Sequence, residues 1–393
     1  MNSRFFQSLI VTLAAMTTIA STDIFLPSLP DITIYFSTTP EHIQLSITLA
    51  LLGALVGAPL MGSLSDYYGR KSMLLAGMLI FFFATMGCVY APSMVSFLAF
   101  RFLQGIGSTA SFVIGWAIIQ ELYPKDESAK MMSWIGSIIG VSPMIAPTLG
   151  GYIHVLFGWR ANFVLIASLA GLLAVLIILS RPPLAIVVKG NSPSPMTLLR
   201  NYKFIFKDRV FMLYLSFFSL LNCGLWAYLT LVPFYFETIL HLSPHIFGLY
   251  LSVGPLFYML GTFFTPILLR YVDVMQTIFL GVMFALGGSI GLLCTALFIP
   301  HSPLLITFFI GFYILGIAVV WGPSTSRALQ KFEDMRGAAS AVRGLFVTFF
   351  FAVGSLVGSF LNNSLILLAF FLIAIALLCC HNFRRLKVLE ALN

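Results

Sequence analysis

The sequence predicts an all-α membrane protein whose twelve transmembrane helices form two pseudo-symmetric six-helix halves. Three observations carry this. The chain is 60% hydrophobic and only 9% charged, with a mean hydropathy of +1.01, too few charges to cover a water-facing surface. Apolar runs of about 20 residues recur, each long enough to cross a core of about 30 Å as a helix. A polar segment from about residue 181 to 210, holding Pro182, Pro183, Pro193 and Pro195, reads as a flexible linker that splits the runs six and six. A transmembrane barrel is excluded, because its strands would alternate polar and apolar residues over about ten positions.

In the first half (residues 1–180) the spans fall at 6–27, 43–63, 73–90, 97–120, 131–153 and 160–180. The first follows Arg4 and could be misread as a secretory leader with a small-residue cut near Ala20. Charged turns at Asp66–Lys71 and Lys125–Lys130 end the second and fourth spans. Gly158-Trp159-Arg160 opens the sixth. In the second half (residues 211–393) the spans are 211–233, 246–268, 276–298, 303–325, 339–361 and 365–382. There Leu269-Arg270-Tyr271-Val272-Asp273 fills the turn equivalent to the Asp66 segment, and Arg327–Arg336 mirrors Lys125–Lys130. Arg384, Arg385 and Lys387 end the last span.

A net charge of +8 would suggest nucleic acid in a soluble chain, but its distribution argues otherwise. With the N-terminus inside, every one of the 21 Lys and Arg except Arg101 and Arg160 falls in a cytoplasmic loop, tail or helix end. That bias fixes both termini in the cytoplasm and makes lipid headgroups, not a polynucleotide, the partner of the basic excess. The five cysteines lie in or near apolar runs without metal-ligand spacing, so they read as packing residues. The histidines are scattered, with no nucleophile–base or metal set of the kind an embedded enzyme needs. No Gly-rich phosphate loop occurs. Neither an enzyme nor a cofactor is expected.

Asp23 and Arg101 stand within spans without an interfacial excuse. A charge facing lipid would cost about 2.5–3.5 kcal/mol, so both should face the bundle interior. Each lies on the order of 10 Å below the outer surface at 1.5 Å per residue. Two readings stay open, a proton-carrying acid tuned by a guanidinium and a permanent structural ion pair. In the fifth span Gly140, Pro143, Pro147, Gly150 and Gly151 read either as close packing or as a rocking interface. Asn222, with Trp226 and Tyr228 above it in the seventh span, is a candidate for substrate contact or for packing within its half. His154 reads as interfacial.

Several stretches carry a resemblance. Gly62-Ser63-Leu64-Ser65-Asp66-Tyr67-Tyr68-Gly69-Arg70-Lys71 resembles the signature between the second and third helices of major facilitator transporters, with Tyr67 in place of the usual first arginine. Ser21-Thr22-Asp23-Ile24-Phe25-Leu26-Pro27-Ser28-Leu29-Pro30 is similar to the first helix of the bicyclomycin and chloramphenicol resistance exporters. Arg101-Phe102-Leu103-Gln104-Gly105-Ile106-Gly107 looks like their fourth-helix motif. Pro143-Met144-Ile145-Ala146-Pro147-Thr148-Leu149-Gly150-Gly151 looks like their fifth helix, and Arg336-Gly337-Ala338-Ala339-Ser340-Ala341 fits the start of helix eleven. Departures are Gln120-Glu121 where Arg-Asp is usual, and Ser142 before Pro143 where the family has glycine.

The chain is thereby identified as similar to drug–proton antiporters of that type. The resemblance implies a major facilitator fold and a proton-coupled exporter of small hydrophobic or amphipathic compounds working by alternating access. A dedicated exporter of one metabolite, such as a siderophore or amino-acid derivative, is the close alternative, and a non-transporting sensor a remote one. It implies proton coupling at Asp23 and Arg101, and a cytoplasmic gate at Gly62, Asp66, Gly69, Arg70, Lys71 and Glu121, with Asp66 received by the N-terminal end of helix eleven near Gly337. The expected partners are a small-molecule substrate, protons and the lipids of a bacterial inner membrane, and the expected state is a monomer.

Overall fold

The structure, a computed structural model, describes residues 3–180, 195–332 and 335–391. Among these residues every regular element is helical. In chain order the α-helices are α1 (Ser3–Asp23), α2 (Leu29–Tyr35), α3 (Pro40–Tyr68), α4 (Arg70–Tyr90), α5 (Met94–Leu122), α6 (Lys125–Gly140), α7 (Ser142–Phe157) and α8 (Trp159–Leu179). They continue with α9 (Pro195–Phe206), α10 (Arg209–Phe234), α11 (Pro244–Leu268), α12 (Val274–Phe298), α13 (Pro303–Gln330), α14 (Arg336–Ser359) and α15 (Leu365–Ala391). Twelve helical spans among the described residues are long and apolar enough to cross a membrane, so the chain is a multi-pass membrane protein.

Proline explains where these spans depart from uninterrupted rods. The first span breaks after Asp23 into a 3₁₀ turn, Leu26–Ser28, before α2 resumes. Pro27 and Pro30 supply no N–H to the turn before them, and the tighter winding accommodates the loss. The expected span 131–153 is two helices, α6 and α7, meeting at Val141, with Pro143 in the first turn of α7. After Pro233, α10 runs into a π turn, Tyr235–Ile239.

Of the expected linker, residues 181–194 lie outside the described residues. Its second part is more ordered than its composition suggests. There α9 packs on α10 and α14, Ile205 is buried and Phe204 lies against Phe332. Asp208 caps α10, accepting from the Phe211 N–H at 2.8 Å, and pairs with Lys331 at 2.6 Å.

The chain forms two compact units, Met1–Ser192 with Ser243–Ser252, and Pro193–Leu242 with Val253–Asn393. In the first, α5 packs against both α3 and α4, while α1 touches α5, α7 and α8. Small residues set these approaches. A Cβ on Gly53 would run into the Phe102 carbonyl, and one on Gly105 into the Ala50 carbonyl, so α3 and α5 meet backbone to backbone. In the second unit α10 touches α13, α14 and α15, and α12 packs on α13 and α15. Gly354 lies against the Cys223 carbonyl and repeats the device.

Candidate functional site

Asp23 is the last residue of α1, half-buried, where the chain turns toward Pro27. Arg101, on α5, is 1% exposed. Its guanidinium lies 4.2 Å from the centre of the Phe25 ring, two residues beyond Asp23, a cation–π contact of the desolvated kind that contributes about 2 kcal/mol. Arg101 donates through Nε to the Ser46 carbonyl at 3.4 Å and through Nη1 to Gln104 Oε1. The Gln104 amide donates in turn to Thr85 Oγ1 at 2.8 Å, and that hydroxyl donates to the Phe81 carbonyl at 2.6 Å. The cation is thus tied to α3 and α4 and stacked on the segment after α1.

Among the described residues Asp23 and Arg101 form no ion pair. Arg101 Nη2 is buried and without a hydrogen-bond partner. Neutral groups therefore hold the guanidinium in place without occupying its whole donor set. The cation thus stacks on a ring two residues beyond the acid without being locked to the acid itself.

At the far end of α3 the Asp66 segment is helical up to Tyr68 and turns on a single residue, Gly69, at φ +89°. That backbone region is open to glycine and strained for other residues. The turn swings Arg70 back over α3 and against α5. Arg70 Nη1 lies 2.5 Å from Asp66 Oδ1 and donates to Ser65 Oγ at 2.6 Å. Its Nε donates to Glu121 Oε1 at 3.0 Å. Ser65 is buried and donates to the Gly62 carbonyl at 2.7 Å. Lys71 donates to the carbonyls of Ser180 at 2.8 Å and Ile178 at 3.2 Å, at the end of α8. Gly62, Asp66, Gly69, Arg70, Lys71 and Glu121 thus form one cluster joining α3, α4, α5 and α8. Exposed ion pairs stabilise by only about 0–1 kcal/mol, so stability alone is a weak reason for it.

The fifth-span residues divide. Gly150 faces the Ile24 carbonyl, and Gly151 faces Pro244 and His245 at the start of α11, where Thr148 and Ser252 hydroxyls lie 2.7 Å apart. A Cβ on Gly140 would meet nothing within 4 Å. Pro143 opens α7 and Pro147 lies inside it, its carbonyl against Gly248. His154, in the last turn of α7, is buried, with Nε2 2.7 Å from Oδ2 of the exposed Asp31.

In the second unit Asn222 is buried and donates to the Phe218 carbonyl of its own helix at 2.9 Å. Trp226, one turn on, shares its face and packs on Phe351. Tyr228, buried, points to a different face, so the three do not converge. Sequence reasoning missed Arg343. The charge distribution puts it at a helix end, yet it lies two turns into α14, half-buried, with its Nε buried and unpartnered. Its distance from Arg336, about 10 Å at 1.5 Å per residue, was the available signal.

Comparison with known proteins agrees with this architecture. Residues 11–354 match the sequence profile described as Major Facilitator Superfamily. The chain is 29% identical to an uncharacterized MFS-type transporter of Bacillus subtilis, YdgK, over 82% of this chain and 81% of the relative. It is 27% identical to the bicyclomycin resistance protein homolog of Haemophilus influenzae, over 86% and 84%. Among solved structures it resembles the xylose transporter XylE from E. coli, with a TM-score of 0.71 at 16% identity, covering 96% of this chain and 97% of that one. The helical spans, the Asp66–Arg70–Glu121 cluster and a profile match across most of the chain lead to one conclusion: this protein belongs to the Major Facilitator Superfamily and is a transporter, not an enzyme.

Proposed function

We propose that this transporter exports small hydrophobic or amphipathic compounds across a bacterial inner membrane in exchange for protons, by alternating access of two halves, 1–180 and 211–393, joined through 181–210. The observation that carries the reading is Asp23, a half-buried acid inside the first span that no cation neutralises among the described residues. An ionised carboxyl inside a span is costly, and such groups mark ion pathways and proton relays. The relative named for bicyclomycin resistance supports efflux as the direction. The proton is the coupling ion, and no cofactor takes part. A proton entering across about 100 mV supplies about 2.3 kcal/mol, and one pH unit adds about 1.4.

Export assays on proteoliposomes with a panel of compounds test the reading. Pumping of several unrelated hydrophobic compounds on a pH step is the expected result. Pumping of one metabolite alone would assign a dedicated exporter instead.

In this reading the Asp66 cluster latches the cytoplasmic gate, and the α7 glycines and prolines form the rocking surface. Asp66→Asn removes only exposed ion-pair energy, about 0–1 kcal/mol. Expression and melting temperature should therefore stay near wild type while export falls several-fold, on the order of 1 kcal/mol in a barrier. Unchanged export and unchanged accessibility would reduce Asp66 to a topological residue.

Orientation follows from the basic residues. Single cysteines placed at Ser192 and near the C-terminus in a cysteine-free background should label only from the cytoplasm, and one at His241 only from outside. Labelling of Ser192 from outside would overturn the arrangement.

A further inference from the structure

The second unit carries an unassigned cavity of about 490 Å³ where α11 turns into α12 beside the end of α13. In the first unit the corresponding corner, between the end of α3, the start of α4 and the end of α5, is closed by Arg70 with its two carboxylates. Here the corner is open. Leu269, Ala318 and Trp321 supply an apolar wall, while Ser326, Arg327 and Gln330 supply a polar end. Arg327 is the one charged residue lining the cavity, and it makes no ion pair among the described residues.

Nearby acids among the described residues are engaged elsewhere. Asp273 caps α12, accepting from the Gln276 N–H at 2.6 Å. Asp208 holds Lys331, and Glu390 accepts from the Tyr214 hydroxyl. The volume falls within the range of about 300–1,000 Å³ typical of small-molecule sites and is too small to enclose a two-chain phospholipid.

We propose that this cavity binds a small amphipathic anion, its apolar body against Trp321 and Leu269 and its carboxylate or sulfonate on Arg327. A guanidinium favours a flat oxyanion, to which it can donate two parallel hydrogen bonds. Ser326 and Gln330 stand beside it as further polar groups. Gly322 lines the cavity, and a Cβ there would meet nothing within 4 Å, so the space beside it is open. That the bound anion is cargo rests on the transport reading above; that it binds does not.

The test is therefore an equilibrium one, on the full chain in nanodiscs of zwitterionic lipid, with no gradient. The probe is anilinonaphthalene sulfonate, and its uncharged counterpart is phenylnaphthylamine, both read by fluorescence against empty discs. Arg327→Gln should weaken sulfonate binding about tenfold or more, the effect of removing a charge-assisted contact. Arg327→Lys should recover part of that affinity, and the uncharged probe should stay within about twofold because it never used the charge. Gly322→Leu should fill the space and weaken both probes without loss of folded protein.

Sulfonate affinity unchanged by Arg327→Gln would overturn the proposal, as would equal loss of both probes, or wild-type binding no greater than that of empty discs. Displacement of the sulfonate by anionic phospholipid added to the discs, in wild type and not in Arg327→Gln, would assign the site to a lipid headgroup and overturn it too. Sulfonate binding that persists in a protein exporting nothing would leave this site standing and sink the transport reading.

Discussion

Asp23→Asn is expected to abolish accumulation driven by a pH gradient while leaving the protein folded and inserted. The substitution keeps the shape of the protonated acid and removes the titration. Because Asp23 carries no ion pair among the described residues, no partner is orphaned, and replacing an ionisable group inside a span eases insertion. A driving force of about 100 mV and one pH unit can sustain a gradient of roughly several hundred-fold for a neutral substrate exchanging with one proton. The variant should fall to equilibration at about onefold, a loss on the order of 100-fold. Purified protein in liposomes with an imposed pH step and a diffusion potential of about 100 mV measures this directly. Accumulation by Asp23→Asn that still scales with the step would place the proton on another group.

The second large effect concerns packing. Gly105→Ala places a Cβ against the Ala50 carbonyl, a backbone atom that cannot rotate away. Overpacking of this kind costs about 1–3 kcal/mol, and α3 and α5 must move apart to relieve it. Gly105 follows Gln104, so the Arg101–Gln104–Thr85 chain would move with it. Gly136→Ala is the control, because a Cβ there meets nothing within 4 Å and alanine favours a helix over glycine by about 0.5–1 kcal/mol. Thermal unfolding in detergent should shift down for the first and slightly up for the second. Equal shifts would mean that the α3–α5 contact is looser than its geometry indicates.

The number of spans was legible because hydrocarbon imposes one length and one composition on all of them. Where they break was less legible, although the cause is plain afterwards. Pro27 and Pro143 each deny a hydrogen bond to the preceding turn, yet apolar composition runs straight across both. The Asp66 cluster was readable as a motif, but not as a hairpin turning on Gly69 alone, since a φ of +89° has no signature beyond the residue type. Arg101 was found by being a charge in an apolar run. Its partners were not, because Ser46, Thr85 and Gln104 are ordinary polar residues until three helices bring them together. Arg343 was hidden by the same rule that oriented the chain, which counts any cation near a helix end as interfacial.

The tie from Lys71 to the end of α8 has a consequence for the order of events during synthesis. Its acceptor, the Ser180 carbonyl, is made 109 residues after it, an interval of roughly 5–20 s at about 5–20 residues per second. Throughout that time α3 is already made, and Lys71 has no carbonyl at the end of α8 to meet. The contact can close only as the sixth span leaves the ribosome, just before the first residue of the second half is translated. Closure of this brace therefore marks the moment at which the first half can be complete.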